Sequence, residues 1–304
     1  MEKRMKKTPL ISVITPCYNG ENSMRPMLDS LLKQTYPKVE FFFINDGSTD
    51  HTEEIFLEYK PKLEQKGWKV IYHKQTNGGA AKALNFGLAR FTGKYLTWPD
   101  SDDILYPNYL AYRVQFMEEH SDCDLMLHWT DRCVEKDYEH KITPNEQYLF
   151  SSNFFEKIMF HPPFAPGLVA CARSSSLVDR LPERHIYDKG KGGQNWQLLL
   201  PLSYSGKVVC VNKILACYVV RENSHSHIKK NLIVRLNEYE EVLTHSLLSI
   251  SIMPDQEKKK YLHKIKIFYL KKRIHIYVKT FITYLLGEKY FNKFKKFLND
   301  YYNQ

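Results

Sequence analysis

The chain has no CxxC pair, few glycines and no apolar run long enough to cross a bilayer. Its six cysteines (Cys17, Cys123, Cys133, Cys171, Cys210 and Cys217) are scattered. That spacing excludes a zinc ribbon and a disulfide scaffold, and reads as reduced, mostly buried thiols. The longest apolar stretch, Ile274 to Leu286, is interrupted by His275 and Lys279. Spanning would need about 18 or more apolar residues, so no transmembrane helix is expected. The basic start, Met1 to Lys7, is followed only by a strand-length apolar run, so no secretory leader is expected either. No repeat or low-complexity segment interrupts the 304 residues, and 43% of them are hydrophobic, enough for a sizeable core.

What is present is a strand–helix alternation in the first third. Leu10 to Thr15 is a short apolar run closed by Pro16. Helical spacing over Met24 to Gln34 follows, then a second buried strand over Val39 to Ile44. A third strand is expected at Val70 to Tyr72, a helix from Asn77-Gly78-Gly79 to about Arg90, and a fourth strand at Tyr95 to Trp98. Such alternation predicts βαβ units and a mostly parallel, Rossmann-like sheet flanked by helices. Ligands of such sheets bind where the strands end at their carboxyl side. Further on, Asp124 to Trp129, Lys207 to Val211 and Ile214 to Val220 read as strands, and Asn195 to Leu202 as a short helix. From about 228 helical periodicity takes over, with lysines and aromatics interleaved.

The turns after the strands carry the chemistry. Asp100-Ser101-Asp102-Asp103 puts three carboxylates in four residues at the end of the fourth strand. Such groups repel unless a cation lies between them, and a hard divalent ion would also accept phosphate oxygens. A solvated turn that caps the next helix is the plainer alternative. Asp46, in a turn with Gly47 and Ser48, can accept hydrogen bonds from a base or ribose; it can equally be a turn former. Asn77, Gly78 and Lys82 place helix-start amides and a cation where a phosphate could sit. A P-loop is excluded because no Gly-Lys-Ser/Thr follows.

Taken together these segments resemble family 2 glycosyltransferases of the GT-A fold. Ile11 to Asn19 is similar to that family's opening strand, Ser30 to Pro37 to its next helix end, and Ile44 to Asp50 to its aspartate turn, with Asn45 in place of a common Asp. Asn77-Gly78-Gly79, Asn85, Gly87 and Thr92-Gly93-Lys94-Tyr95 lead to a DxD-like motif at Asp100 to Asp103. The resemblance weakens toward 226. It divides the chain into a GT-A domain over 1–225 (nucleotide-sugar half about 8–105, acceptor half about 106–225) and a basic amphipathic helical region over 226–304.

The resemblance implies a UDP-sugar donor, a divalent ion (Mn²⁺ or Mg²⁺), inversion at the anomeric carbon, and a role in bacterial surface-polysaccharide synthesis. It implies that Pro16, Tyr18 and Asp46 contact the uridine and that Asp100 and Asp102 serve the ribose and metal, with Asn19 and Ser101 among the donor-binding residues. Asp102 or Asp103 would ligate the metal. Two departures stand out. Where the family commonly carries a Glu-Asp pair supplying the base, this chain has Gln194-Asn195; Asp188, the favoured candidate, or Asp131 would then take the role, or another group would, with the amides orienting hydroxyls. Where relatives often carry a His, Arg221 stands and can bind a diphosphate; His225 or His227 remain alternatives for the metal.

The net charge of +10 is concentrated in the last part of the chain. It suits an anionic membrane surface and a lipid-linked acceptor at the inner face of the plasma membrane, or else a packed helical cap with a solvated basic face. No nucleic-acid-binding motif accompanies it. Rival readings are a nucleotide-sugar-binding scaffold that has lost its base, and a nucleotidyltransferase, for which the glycine- and base-rich phosphate loop is missing.

Overall fold

In the computed structural model the described residues are 8–135, 137–142, 154–160, 167–189, 193–221 and 231–286. The fold grows from one mixed sheet. Its first half comprises β1 (Ile11–Cys17), β2 (Val39–Asn45), β3 (Lys69–Lys74) and β4 (Tyr95–Thr97), linked by α1 (Met24–Leu32), α2 (Thr52–Gln65) and α3 (Ala80–Leu88). β1 pairs in parallel with β2 and with β4, and β2 in parallel with β3. The chain thus builds outward to β3 and then returns to the other side of β1. The β1/β4 boundary is a switch point, where the connections on either side diverge and leave a crevice.

Beyond β4 the sheet turns mixed. β5 (Ile104–Leu105), α4 (Tyr109–Glu119), β6 (Leu125–Val134), β7 (Asp137–Ile142), α5 (Phe154–Phe160), β8 (Ala170–Arg173), α6 (Ser174–Arg180), α7 (Gln194–Ser203) and β9 (Val208–Val220) follow in order. The sheet order is β3-β2-β1-β4-β8-β6-β9-β5, with β7 on β6. β8 runs antiparallel to both β4 and β6, while β6 and β9 are parallel. Two separate strands at 207–220 give way to one continuous β9. Its register against β6 shifts around Trp129, and the bulge absorbs the polar Asn212-Lys213 that looks like a break in the sequence.

Alternation along the strands feeds two cores. Ile11 and Val13 of β1 face the layer of α1, α2 and α4, whereas Ile14 faces α3 and α7 on the other side. The short β5, β7, α5 and α6 are absent from the sequence-based expectation because elements of that length carry too little periodicity. The C-terminal helices α8 (Leu232–Leu248) and α9 (Asp255–Leu286) join the second core through Leu236, Val242, Leu243, Leu247, Ile265 and Tyr269. Up to about Tyr269, then, this region is a packed cap.

Two buried polar nodes hold the sheet. Glu40, inside β2, accepts hydrogen bonds from Ser12 Oγ, Thr92 Oγ1 and the Gly93 amide. Gly93 is required there because a Cβ would lie 2.5 Å from Ser12 Oγ. The Thr92-Gly93 motif is therefore a structural one.

Arg113 of α4 is fully buried. It donates to Thr97 Oγ1, to the carbonyls of Leu168 and Ala170, and to His128 Nε2, and its guanidinium lies 3.6 Å from the Tyr109 ring centroid. Burial, and then the Arg113 charge, hold the His128 imidazole well below its ordinary range. It stays neutral, accepting at Nε2 and donating from Nδ1 to the Trp129 carbonyl. A histidine depressed on folding contributes stability above its unfolded pKa and loses it as pH falls. We expect the urea-unfolding stability difference between wild type and His128→Gln to narrow below about pH 6.5, by roughly 1.4 kcal/mol per pH unit. A difference constant from pH 8 to 5 would contradict a neutral buried His128.

Candidate functional site

Cys17 is the junction at which the site assembles. It ends β1, and its carbonyl accepts the Asp46 amide at the end of β2 at 2.8 Å. Its thiol meets the Ser101 side chain on the β4 tip, with Asp102 and Arg221 close enough to act on it electrostatically. Burial pushes that thiol up to about 12, so it is a packing group and not a nucleophile. Gly20 leaves room for it, since a Cβ there would lie 2.4 Å from the sulfur. Four strand ends (β1, β2, β4 and β9) thus converge. Nothing in the sequence marks Cys17 for this part.

On the β1/β2 side, Tyr18 is 44% exposed and Asn19 adopts a left-handed backbone at φ +49°. Asn19 Oδ1 accepts from the Thr49 backbone amide, and the Asn19 backbone amide donates to Ser48 Oγ. Pro16 lies in β1, opposite Ile44 in register. Asp46 is 2% exposed and its carboxylate is already engaged. Oδ1 accepts from Gln75 Nε2 and the Gly78 amide, and Oδ2 from the Gly79 amide at 2.7 Å. Asp46 therefore shapes the 75–79 loop that opens α3. Gly47, at φ +76°, is needed because a Cβ would sit 2.6 Å from the Asn77 amide nitrogen. Asn77 and Lys82 are exposed beside this loop, and the Lys82 aliphatic stem runs over Gly78.

The β4 tip carries the acids. Asp102 pairs with Arg221, which lies just past the end of β9. Asp103 is fully buried; its Oδ1 accepts from the Val219 amide at 3.2 Å, and its Oδ2 has no hydrogen-bond partner. Burial, followed by the Asp102 charge, pushes the Asp100 carboxyl up to about 7 and Asp103 well above the carboxylate range, with Arg221 acting the other way. An orphaned carboxylate oxygen beside two further acids is a place where a cation would relieve a desolvation cost. No group of three or more His, Cys, Asp or Glu converges on a single point among the described residues. Protein ligands there would be completed by phosphate oxygens.

On the far side, Trp98 Nε1 donates to Asn195 Oδ1 at 3.0 Å, tying the β4 end to the first turn of α7 and so bringing Gln194-Asn195 to the tip. Asp188 is held instead by Asn85 Nδ2 at 3.2 Å and by His185 Nε2 at 3.6 Å. Two buried amides fix its loop. Asn85 pairs with both backbone groups of Ile186, and Gln197 with both of Tyr187. Asp131, on β6, accepts from Tyr106 Oη at 2.5 Å. Asn85, Trp98, Gln197 and Arg113 were missed as positioning residues. Only Asn85 and Gln197, polar residues at apolar-face positions of helices, left any signal. His225 and His227 lie outside the described residues.

Residues 12–176, more than half of the chain, match the family described as glycosyl transferase family 2. Glycosyltransferase GlyA of Streptococcus pneumoniae serotype 4 is 30% identical over 231 residues, covering 72% of this chain and 32% of that protein. An uncharacterized glycosyltransferase of Rickettsia typhi is 38% identical over 126 residues, covering 41% of this chain and 37% of its own length. The matched part thus spans little more than a third of such relatives, or less. Among solved structures, S. aureus TarS 1–349 in complex with UDP-GlcNAc superposes with a TM-score of 0.62 at 23% identity, covering 86% of this chain and 72% of that one. The mannosyltransferase PcManGT from Pyrobaculum calidifontis, in complex with GDP-Man and Mn²⁺, gives 0.55 at 15% identity, covering 87% and 70%. Both share the fold.

Proposed function

The chain belongs to glycosyl transferase family 2, and from that premise we propose that it moves a sugar from a UDP-sugar to a saccharide acceptor, with inversion, in surface-polysaccharide synthesis. The acceptor we propose is lipid-linked, met at the cytoplasmic face of the membrane. The observation that carries the reading is the acidic tip at the switch point, with Asp103 Oδ2 unpartnered and Arg221 reaching in from β9.

The donor would lie across the ends of β1, β2 and β4. Tyr18 offers a ring for uracil to stack on, and Asp46 holds the loop whose Asn77 and Gly78, with Lys82, face the donor's polar groups. Asp100 and Ser101 would reach the ribose and phosphates. Asp102 and Asp103 would hold Mn²⁺ or Mg²⁺, which when bound supplies charge neutralisation for the departing diphosphate. Arg221 can leave Asp102 for a phosphate, because a guanidinium binds either anion bidentately. Gln194 and Asn195, fixed through Trp98, would orient sugar hydroxyls. The base would be Asp188, or else Asp131 or another group.

A second reading, a nucleotide-sugar-binding protein with impaired transfer, is favoured by one observation: amides stand at the start of α7 and Asp188 is occupied by Asn85 and His185. One pair of measurements separates the two. Calorimetry should show UDP binding that Mn²⁺ tightens and a chelator weakens, and a screen of UDP-sugars should show UDP release with one of them. Binding without release from any donor and acceptor tried would favour the second reading; no binding at all would remove both.

A further inference from the structure

Among the described residues, the helix α9 has two apolar faces, and only one of them is covered. Ile265 and Tyr269 lie in the core, with Tyr261, Phe268 and Ile276 packed beside them. Roughly 130° round the helix runs a second row: Ile267, Leu270, Ile274, Tyr277, Phe281 and Tyr284. Each of these is exposed, Phe281 at 64% and Tyr284 at 87%. Their spacing alternates by three and four residues, which keeps them on one line along the helix. α9 has 32 residues and so extends about 48 Å. No helix of the described residues is long and apolar enough to cross a membrane.

The charge around this row selects the occupant. From Lys258 to Leu286 the chain has no Asp or Glu. Lys259, Lys260, Lys266 and Lys271 are exposed and flank the row. A second copy of α9 laid along the same line would bring Lys266 and Lys271 against their own counterparts with no acid to pair them. A nucleic acid would satisfy the lysines and leave the apolar row in water. An anionic lipid surface takes both: acyl chains receive the isoleucines and leucine, the aromatic end sits at headgroup depth, and the lysines meet the phosphates.

We propose that the exposed face of α9 lies in the plane of an anionic lipid bilayer. The opposite face is anchored in the domain core, so the helix would hold the whole domain at that surface in one orientation. This deepens the proposed function by giving a lipid-linked acceptor a surface on which to be met. It rests on that reading for its purpose only, since the helix can be assayed without any donor.

The test is sedimentation of the full chain with vesicles of phosphatidylcholine alone and of phosphatidylcholine with a quarter phosphatidylglycerol. The chain is expected to partition into the anionic vesicles and not the neutral ones, and more weakly as salt is raised from about 0.1 to 0.5 M. Phe281→Glu with Tyr284→Glu, and separately Lys266→Glu with Lys271→Glu, should each lower the partition coefficient about tenfold or more. Circular dichroism and the UDP–Mn²⁺ titration of both variants should match wild type, so a failure here is told apart from a failure of the donor site. Absence of anionic binding, or binding indifferent to both variants, overturns the proposal. So does a dimer in sedimentation velocity that the aromatic variant converts to monomer, which would assign the row to a second copy.

Discussion

Asp102→Ala is expected to lower turnover roughly 100- to 1000-fold, the scale of losing a principal charge-stabilising group at a developing anion. UDP should still bind, but without the gain that Mn²⁺ gives wild type. The folded chain should not suffer. Asp102 is one of the causes that raise Asp100 and Asp103, after their burial, and removing its charge relieves both. Its partner Arg221 keeps access to solvent, with a side chain 28% exposed. The melting temperature of the variant should therefore equal or exceed that of wild type while activity is lost. This combination separates a functional acid from a structural one. A variant that turned over normally would end the metal assignment; a variant both inactive and unstable would make Asp102 part of the scaffold.

Arg113→Met carries the largest expected loss of stability, about 3–5 kcal/mol, because several buried acceptors lose their donor at once. Methionine fills the volume of the stem but leaves Thr97 Oγ1, His128 Nε2 and the carbonyls of Leu168 and Ala170 without their donor. Each orphaned group costs roughly 1–3 kcal/mol unless water reaches it, and the cluster is fully buried. In thermal unfolding this corresponds to a fall of the order of 10 °C for a chain of this size. Arg113→Lys should recover part of it, since one ammonium cannot serve four acceptors in that fork. Because Thr97 is the last residue of β4, the loosened clamp should also weaken UDP–Mn²⁺ binding at the tip beyond it. A loss under about 1 kcal/mol in Arg113→Met would mean that water replaces the guanidinium there.

Much of the first half was legible in the sequence because it obeys local rules. β1, β2 and β4 are short apolar runs that end in Pro16, Asp46 and Pro99. Asp46 and Pro99 fall just beyond β2 and β4 and turn the chain there, whereas β1 runs on through Pro16 to Cys17. The acidic tip was legible for a similar reason: three carboxylates in a row have few stable explanations. What failed was reading by periodicity wherever packing overrides it. β9 crosses a polar pair through a bulge, and α6 and β8 are shorter than the window in which a period can be recognised. The C-terminal helices illustrate both outcomes. Their helicity and charge could be read directly, but which apolar row of α9 is buried depends on how it packs against its neighbour α8 and against α5, about a hundred residues earlier.

The amino-acid order alone determined the family, the alternation that makes a sheet with a switch point, and the residue types gathered at its strand ends, since backbone preferences and the cost of clustered charge act over a few neighbours. Only the tertiary structure decided who holds whom. It gave Asp46 to the 75–79 loop, Asn195 to Trp98, Asp188 to Asn85 and Asp102 to Arg221. These pairings join residues 32 to 119 positions apart. Hydrogen bonds and ion pairs act over a few ångströms, and such proximity arises only after the sheet has brought its strand ends together.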